Sequence, residues 1–264
     1  MHGHGGCATS GPSDGTADRL LPWQAGASRP APGPVLVVPA PAGAPVLDLR
    51  AGAPRPPAAE GDGHEGDGDA DRETAGPAPG ELRFPENAVV VVSGLPGSGK
   101  STLIKRAAGG ASGSAGPVHR LDSQDARERW ARKLPRLPYG LYRPLVRVAH
   151  YTALWRALRS GESVVVHDCG SLPWVRRRLA RVAHRSGRTL HLLLLDVPAQ
   201  DALAGQAARG RRVSRYAFRR HLRSVGRLIS GAENGLPPRG CASVVLLDRR
   251  SADALDAIGF GGTR

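Results

Sequence analysis

The sequence predicts an α/β fold in which helices cover both faces of a parallel sheet, and three observations indicate it. Five short apolar runs, at 88–94, 118–122, 163–168, 191–196 and 243–248, have the length of strands and mostly lack polar alternation. Segments with helical periodicity separate these runs. Four runs end on aspartate, and the first ends on a glycine-rich turn. Because ligands of such sheets lie at the carboxyl ends of the strands, these residues are expected to meet at one edge.

Helices are predicted between the strands, from apolar residues that recur on one side of each segment. In the last of them, Phe218, Leu222, Val225 and Ile229 form one apolar face. An insertion between the second and third strands starts with the proline-rich loop KLPRLPYG and continues as a helix. The predicted helices span 100–108, 124–133, 144–159, 174–186, 199–208 and 215–229.

Residues 1–86 are predicted to form a disordered tail. This segment is rich in proline, glycine and alanine, and such a composition buries too little apolar surface to offset its ordering entropy. The tail has six arginines and twelve carboxylates, with an acidic stretch at 60–73, whereas 87–264 has 31 basic and 11 acidic residues. The net charge of +14 therefore combines a tail of −6 with a domain of +20, and it predicts anionic ligands.

Composition also excludes several classes of protein. No apolar run approaches the ~20 residues that span a bilayer, and the N-terminus lacks a basic-then-apolar secretion signal. The three cysteines, Cys7, Cys169 and Cys241, have no CxxC spacing and do not form a disulfide framework. We therefore expect a cytoplasmic protein with no membrane partner.

The first strand leads into Gly94-Leu95-Pro96-Gly97-Ser98-Gly99-Lys100-Ser101, which matches the phosphate-binding pattern G-x-x-x-x-G-K-[ST] in full. The glycines let backbone N–H groups turn toward phosphate oxygens, and the following helix adds the positive end of its dipole. Lys100 is expected to reach the β- and γ-phosphates of ATP, and Ser101 to ligate Mg²⁺. Thr102 closes the predicted nucleotide-binding segment as a helix-start residue. ATP and Mg²⁺ are the cofactors that this motif predicts.

A carboxylate at the end of a buried strand is expected to complete the magnesium shell. Asp168 follows SVVVH and Asp196 follows LHLLLL, so both qualify. His167 and Cys169 flank Asp168 and are interpreted as packing residues, because magnesium prefers oxygen ligands.

The chain resembles the P-loop kinase group that includes polynucleotide kinase-like, zeta-toxin-like and chloramphenicol phosphotransferase-like enzymes. It is most similar to bacterial proteins called AAA-family ATPases. The resemblance covers about 88–248. It depends on the order and spacing of five segments: VVVVSGLPGSGKSTL, LDSQDARERW, SVVVHDCGSLPWVRRRL, LLLLDVPAQDALAGQAARGRRVSRYAFRRHL and VVLLD. It implies a three-layer P-loop NTPase fold with five parallel strands in the order 2-3-1-4-5. In small kinases of this group the third strand lies beside the first, which favours Asp168 for the metal and leaves Asp196 as structural or secondary.

The resemblance also implies an arginine-rich lid between the fourth and fifth strands. Arg209 and Arg212 are the residues we favour for stabilising the transferring phosphoryl group, and Arg211 or Arg215 could replace either. The planar guanidinium presents a fork of donors to phosphate oxygens, which a lysine cannot do.

The acceptor side is expected to have a base and an anion-binding arginine after the second strand. Asp122 stands at the strand end and is the preferred base, whereas Asp125 fits the Asp–Arg spacing better but suits the first turn of a helix. Arg127 and Arg176 are the candidates for holding an acceptor phosphate.

Together these features predict an ATP-dependent phosphotransferase acting on a hydroxyl of a small molecule, a nucleotide or a nucleic-acid end. The acceptor is unidentified and can itself be phosphorylated. One alternative is an ATP-hydrolysing regulatory switch that produces no phosphorylated acceptor. Another is a nucleic-acid-binding protein that uses the +20 surface and binds without ATP.

Overall fold

Parallel strands form two sheets in the computed structural model, which describes residues 33–39, 45–51, 79–108, 117–168, 173–210 and 213–261. The strands are β1 (Val35–Val37), β2 (Val46–Asp48), β3 (Glu81–Phe84), β4 (Val89–Gly94), β5 (Val118–Leu121), β6 (Ser163–His167), β7 (Leu190–Leu195), β8 (Ser243–Leu247) and β9 (Ala257–Phe260). The helices are α1 (Lys100–Ala107), α2 (Ser123–Lys133), α3 (Tyr139–Arg159), α4 (Pro173–Arg185), α5 (Ala199–Ala207), α6 (Arg215–Glu233) and α7 (Arg249–Ala254).

The larger sheet has six strands in the order β2-β8-β7-β4-β6-β5. The five predicted strands correspond to β4 to β8 and pair side by side in the predicted order, with β5 at one edge. The predicted number of five was wrong, because β2 pairs with β8 and extends the other edge. A second sheet of three strands has the order β1-β3-β9. The α/β class with parallel pairing is confirmed.

Three strands fall inside the segment that was predicted as a disordered tail. β1, β2 and β3 are ordered, so the prediction for 1–86 was wrong at 33–39, 45–51 and 79–86. Their apolar runs are short, but each pairs with a strand that lies elsewhere in the chain. Burial of Leu82 and Phe84 against the core then stabilises residues that would not order alone.

Arg50 anchors β2 to the larger sheet. Its guanidinium pairs with Asp48 at 2.5 Å, with Asp196 at 2.8 Å and with Glu233 at 2.7 Å. Asp196 follows β7 and Glu233 ends α6, so a single arginine joins three elements. Asp196 therefore serves in an ion pair, which agrees with its interpretation as a structural residue.

The six predicted helices are confirmed, and α3 starts earlier than expected. It begins at Tyr139 rather than at 144, with Pro144 inside it. A proline there removes one helical hydrogen bond. The centroids of the Tyr139 and Tyr142 rings are 5.4 Å apart. The guanidinium of Arg127 in α2 stacks on the Tyr139 ring, 4.2 Å from its centroid. These contacts hold the first turn of α3 against α2.

The larger sheet has an apolar core on each face. All six residues of β4 and of β7 are buried, as expected for strands covered by helices on both sides. Because the pairing is parallel throughout, the carboxyl ends of β4, β5 and β6 lie at the same edge. Among the residues described, no helix combines the length and apolar character needed to cross a membrane.

Candidate active site

The phosphate-binding motif forms a tight loop between β4 and α1. Gly94, Gly97 and Gly99 have φ angles of 154°, 91° and 97°, which residues with a side chain rarely adopt. A Cβ on Gly97 would also collide with the carbonyl oxygen of Ala202 in α5. Gly99 is the N-cap of α1 and has no side chain to cap it, so the first N–H groups of the helix are left for an anion.

Lys100 lies inside this loop. Its ammonium donates hydrogen bonds to the carbonyl oxygens of Gly94 at 2.9 Å and Leu95 at 2.6 Å. The residue is only 4% exposed, so the loop itself compensates the buried charge. Phosphate oxygens in the loop would be stronger partners than carbonyls, because both groups of the pair would then be ionised.

The other predicted nucleotide-binding residues divide between two cavities and the core. A cavity of about 670 Å³ is lined by Pro96, Gly97, Gly99, Lys100 and Ser101. Ser98 and Thr102 face a neighbouring cavity of about 210 Å³. The side chain of Leu95 is buried among apolar residues of α5 and α6, so only its backbone can contact a ligand.

Arg209 lies close to the start of α1 and lines the large cavity together with the loop. It follows α5, lines both cavities and donates a hydrogen bond to the Thr102 hydroxyl at 3.1 Å. Its exposed position leaves the guanidinium able to turn toward a ligand. Arg212 and its neighbour Arg211 lie outside the described residues, and Arg215 is exposed at the start of α6.

Gln206 connects the loop to the segment before α6, a role that the sequence analysis missed. Its amide nitrogen donates to the carbonyl oxygen of Pro96 at 3.0 Å, and its amide oxygen accepts from the backbone N–H of Val213 at 3.1 Å. Gly205 beside it packs against the backbone of Gly97, where no side chain would fit. A glutamine near the end of this alanine-rich helix has no local pattern that reveals such a contact.

The two residues predicted to ligate a magnesium ion line neighbouring cavities. Ser101 lines the large cavity, and Asp168 follows β6 and lines an adjoining cavity of about 250 Å³. A hydroxyl and a carboxylate fit the oxygen preference of Mg²⁺, which completes its shell with phosphates and water. The described residues contain no group of three His, Cys, Asp or Glu side chains that could hold a metal by themselves.

The two candidate bases occupy different environments. Asp122 is the N-cap of α2, where it accepts a hydrogen bond from the backbone N–H of Gln124 at 2.9 Å. Its side chain is only 2% exposed. Asp122 is not among the described residues that line the cavity of about 670 Å³ or the adjoining cavity of about 250 Å³. Asp125 is half-exposed in the first turn of α2 and lies 4.0 Å from Lys105.

His167, which the sequence predicts to be a packing residue, lies beside Asp122 and faces the cavities. It lines both cavities, and its Nδ1 is 2.9 Å from the hydroxyl of Ser123 and 3.6 Å from Asp122. Burial, together with the Lys100 ammonium, lowers the pKa of His167 to about 3, although Asp122 opposes this. The imidazole is therefore neutral at physiological pH, and its unprotonated nitrogen can accept a hydrogen bond.

Basic and aromatic side chains form the far wall of the large cavity. Arg127, Tyr139 and Arg143, from α2 and α3, line both the large and the adjoining cavity. Arg176 does not line these cavities among the described residues. It is 6% exposed and points at Asp168, with 3.6 Å between its guanidinium and the carboxylate. Of the two predicted acceptor-binding arginines, the site thus exposes Arg127 and buries Arg176.

Comparison with known proteins gives a family. The family model described as an AAA domain matches residues 89–228, more than half of the 264 residues. The chain belongs to this AAA-domain family. No curated protein matches the sequence. The matched part of the AAA domain runs from β4 through α6, and so includes the phosphate loop, the wall of the cavity and Arg209.

Solved structures similar to the AAA domain share little sequence with it. One comes from the PezAT chromosomal toxin–antitoxin system of Streptococcus pneumoniae, with 13% identity, coverage of 61% of this chain and 67% of that one, and a TM-score of 0.44. The tunicamycin resistance protein of Deinococcus radiodurans has 15% identity, coverage of 63% and 91%, and a TM-score of 0.35. A sugar kinase from Janibacter sp. has 18% identity, coverage of 63% and 89%, and a TM-score of 0.29. Similarities this weak bear on neither the fold nor the function of this chain.

The cavity of about 210 Å³ shares Gly99 and Arg209 with the large cavity. Arg106, Arg209 and Arg249 line it together with Asp253 and the apolar residues Leu103, Leu195 and Ala252. Arg249 begins α7, just after the last strand of the larger sheet, and one of its guanidinium nitrogens lies close to Gly99. The helix α7 was not predicted, so Arg249 was missed as well.

Proposed function

We propose that the chain is an ATP-dependent phosphotransferase that moves the γ-phosphoryl group of ATP to a hydroxyl of a small molecule, a nucleotide or a nucleic-acid end. One observation supports this most. A single cavity is lined both by the phosphate loop with Lys100 and by Arg127, Tyr139 and Arg143. A protein that only hydrolyses ATP needs the loop and a water molecule, whereas a transferase needs room for an acceptor as well.

In the proposed complex the phosphates of ATP lie in the loop, with the nucleoside toward the cavity lined by Arg249. Lys100 exchanges its carbonyl partners for phosphate oxygens, and its charge then stabilises the transferring group. Mg²⁺, held through Ser101 and Asp168, would neutralise charge on the β- and γ-phosphates. Arg209 adds a guanidinium, and Arg212 is proposed for the same role.

The acceptor hydroxyl is proposed to lie beside His167. Its oxygen attacks the γ-phosphorus as the bond to the bridging oxygen of ADP breaks, and its proton passes to Nε2 of His167. Because Nδ1 faces Ser123 and Asp122, a hydrogen on Nδ1 leaves Nε2 as the acceptor. Asp122, the base predicted from the sequence, then acts through His167 by orienting the ring and stabilising its protonated form. The loose transition state of phosphoryl transfer requires only this modest assistance.

Incubation with labelled ATP tests the proposed function. The full-length protein is mixed with γ-labelled ATP, Mg²⁺ and a panel of nucleosides, nucleotides, oligonucleotides and small alcohols. We expect the label on an organic acceptor, formed only when both ATP and that acceptor are present. Release of labelled inorganic phosphate alone, at a rate that no acceptor alters, would contradict transfer and favour the ATP-hydrolysing switch.

The roles of His167 and Asp122 can be separated by three substitutions. His167→Ala is expected to lower kcat about 100-fold with little effect on the KM for ATP, as general acid–base catalysis predicts. Asp122→Asn keeps the helix cap, since asparagine caps as well as aspartate, but removes the charge that raises the pKa of His167. The protonated ring is then less stable, so the kcat of Asp122→Asn at pH 7 should be lower than that of the wild-type protein. Asp125→Asn, at the exposed carboxylate three residues on, is the matched control, and an effect of Asp125→Asn equal to that of Asp122→Asn would contradict these roles.

A further inference from the structure

A groove between α4 and the turn before β8 is lined by arginines that the proposed reaction does not use. It has a volume of about 380 Å³, and its basic residues are Arg177, Arg181, His184, Arg185 and Arg239. At its floor the turn approaches α4 closely, since a Cβ on Gly240 would lie 2.7 Å from that of Ala180. The groove is thus a feature of the packed fold and not of a loose surface loop.

Within the part of the chain that the structure describes, the positive charge of this groove has no acidic partner. None of the residues that line it is acidic, and within the described part of the chain no ion pair joins its four arginines to a carboxylate. Arg50 and Arg83, by contrast, both pair with carboxylates closer than 3 Å. Four guanidinium groups around one small groove repel each other, so an anion bound there would be stabilised by all of them.

The spacing of the arginines suits an extended polyanion. Arg177, Arg181 and Arg185 follow each other at intervals of four residues on an exposed side of α4, so they span about 12 Å along the helix in steps of about 6 Å. A compact anion would contact one or two of these groups. A phosphodiester backbone, with charges repeated along a line, can contact the whole series, and each guanidinium can donate two hydrogen bonds to a phosphate.

An exposed tryptophan distinguishes nucleic acid from other polyanions. Trp174 is 55% exposed and precedes Arg181 by seven and Arg185 by eleven residues, which puts all three in one line along α4. Aromatic rings beside a basic groove stack on the bases of single strands, whatever the sequence. An acidic peptide has no base to stack on an indole. We propose that this groove binds the backbone of a single-stranded nucleic acid, with a base stacked on Trp174.

This inference does not depend on the proposed phosphotransferase activity. None of the residues lining the groove lines the large cavity or its neighbours beside the phosphate loop. Binding should therefore need no ATP, and it should persist in a Lys100→Met protein. The absence of any kinase activity would leave the groove unaffected, and loss of the groove would leave the phosphate loop intact.

Fluorescence anisotropy of a labelled single-stranded oligonucleotide with the full-length protein, without ATP, provides the test. The double substitution Arg181→Glu/Arg185→Glu is expected to weaken binding at least about tenfold and to lower the salt dependence of log Kd by about 1.4, the value for two lost phosphate contacts. Arg219→Glu/Arg223→Glu, an exposed pair with the same spacing on α6, changes the net charge equally and is the control. An equal loss in both proteins would overturn the proposal, because binding would then follow net charge alone.

Trp174→Ala tests the type of polyanion. It should weaken oligonucleotide binding about tenfold, through loss of stacking, and leave the binding of inorganic polyphosphate unchanged. Since Trp174 is exposed, the far-UV circular dichroism and melting temperature should not change. Oligonucleotide binding that is insensitive to Trp174→Ala would overturn the assignment. A competition experiment with a synthetic peptide of residues 60–73 gives a second test. If the peptide displaces the labelled oligonucleotide more effectively than unlabelled oligonucleotide does, the assignment is overturned, because the groove would then bind the acidic stretch of this chain.

Discussion

Replacement of Lys100 by methionine is expected to reduce phosphoryl transfer by about 100- to 1000-fold, the range found when one preorganised donor to a transition state is removed. The ammonium is buried inside the phosphate loop, where the carbonyl oxygens of Gly94 and Leu95 hold it. No other described lysine lines the cavity, and Arg127, Arg143 and Arg209, which do line it, lie outside the phosphate loop. Initial rates of product formation at saturating acceptor, with ATP varied, give kcat and kcat/KM for the comparison.

Lys105→Met is the matched control for this substitution. Lys105 lies further along the same helix, is 60% exposed and has only a distant contact with Asp125. It should retain wild-type kinetics within about twofold, because an exposed ion pair contributes little. Melting curves of both proteins separate chemistry from folding, since Lys100→Met also leaves two buried carbonyl groups with fewer hydrogen bonds. A Lys100→Met protein that is folded and transfers phosphate at the wild-type rate would contradict the proposed function.

The parts of the site that could be predicted are those in which local sequence determines the geometry. The loop between β4 and α1 follows from its glycines, because positive φ angles and contact with α5 exclude other residues. The five main strands follow from continuous apolar runs, which only a sheet covered on both faces can bury. In these segments the residue types indicate the local backbone conformation, so the prediction requires no information about residues that are distant in the sequence.

The remaining parts depend on partners that are distant in the sequence. β2 has three residues, and it is ordered by β8 and by the ion pairs of Arg50. Asp122 has the sequence features of a base, but burial and its role as a helix cap leave His167 to face the cavity. Gln206 and Arg249 have no motif at all. Their positions follow from the packing of α5 and α7 around the loop, which no local pattern contains.

Mild acid is expected to destabilise the fold, and His191 and His167 are the reason. His191 is fully buried in β7, with its two nitrogens 2.8 Å from the hydroxyl of Ser243 and 2.9 Å from that of Thr189. Burial lowers the pKa of His191 to about 4 and, with help from Lys100, lowers the pKa of His167 to about 3. In the unfolded chain a histidine has a pKa near 6.5.

The direction of the effect follows from proton binding. Between about pH 3 and 6.5 the unfolded state binds more protons than the folded state. The free energy of unfolding therefore decreases as the pH falls through this range, and it reaches its full value only above about pH 6.5. When the pH is lowered from 7 to 5, each of the two histidines is expected to decrease the free energy of unfolding by about 2 kcal/mol. Most carboxylates remain ionised above pH 5, so they contribute little in this interval.

Urea unfolding of His191→Gln at pH 7 and pH 5 isolates one of the two contributions. Glutamine can hydrogen-bond to the same hydroxyls but does not titrate, so the loss of stability between the two pH values should shrink by about 2 kcal/mol. His184→Gln, at an exposed position of α4, should keep the wild-type dependence, and a His191→Gln protein with that same dependence would contradict the explanation. Because His191 does not line the site cavities, His191→Gln should change stability alone. His167→Ala should change both stability and the rate of transfer, and this difference separates a buried histidine that holds the sheet from one that faces the acceptor.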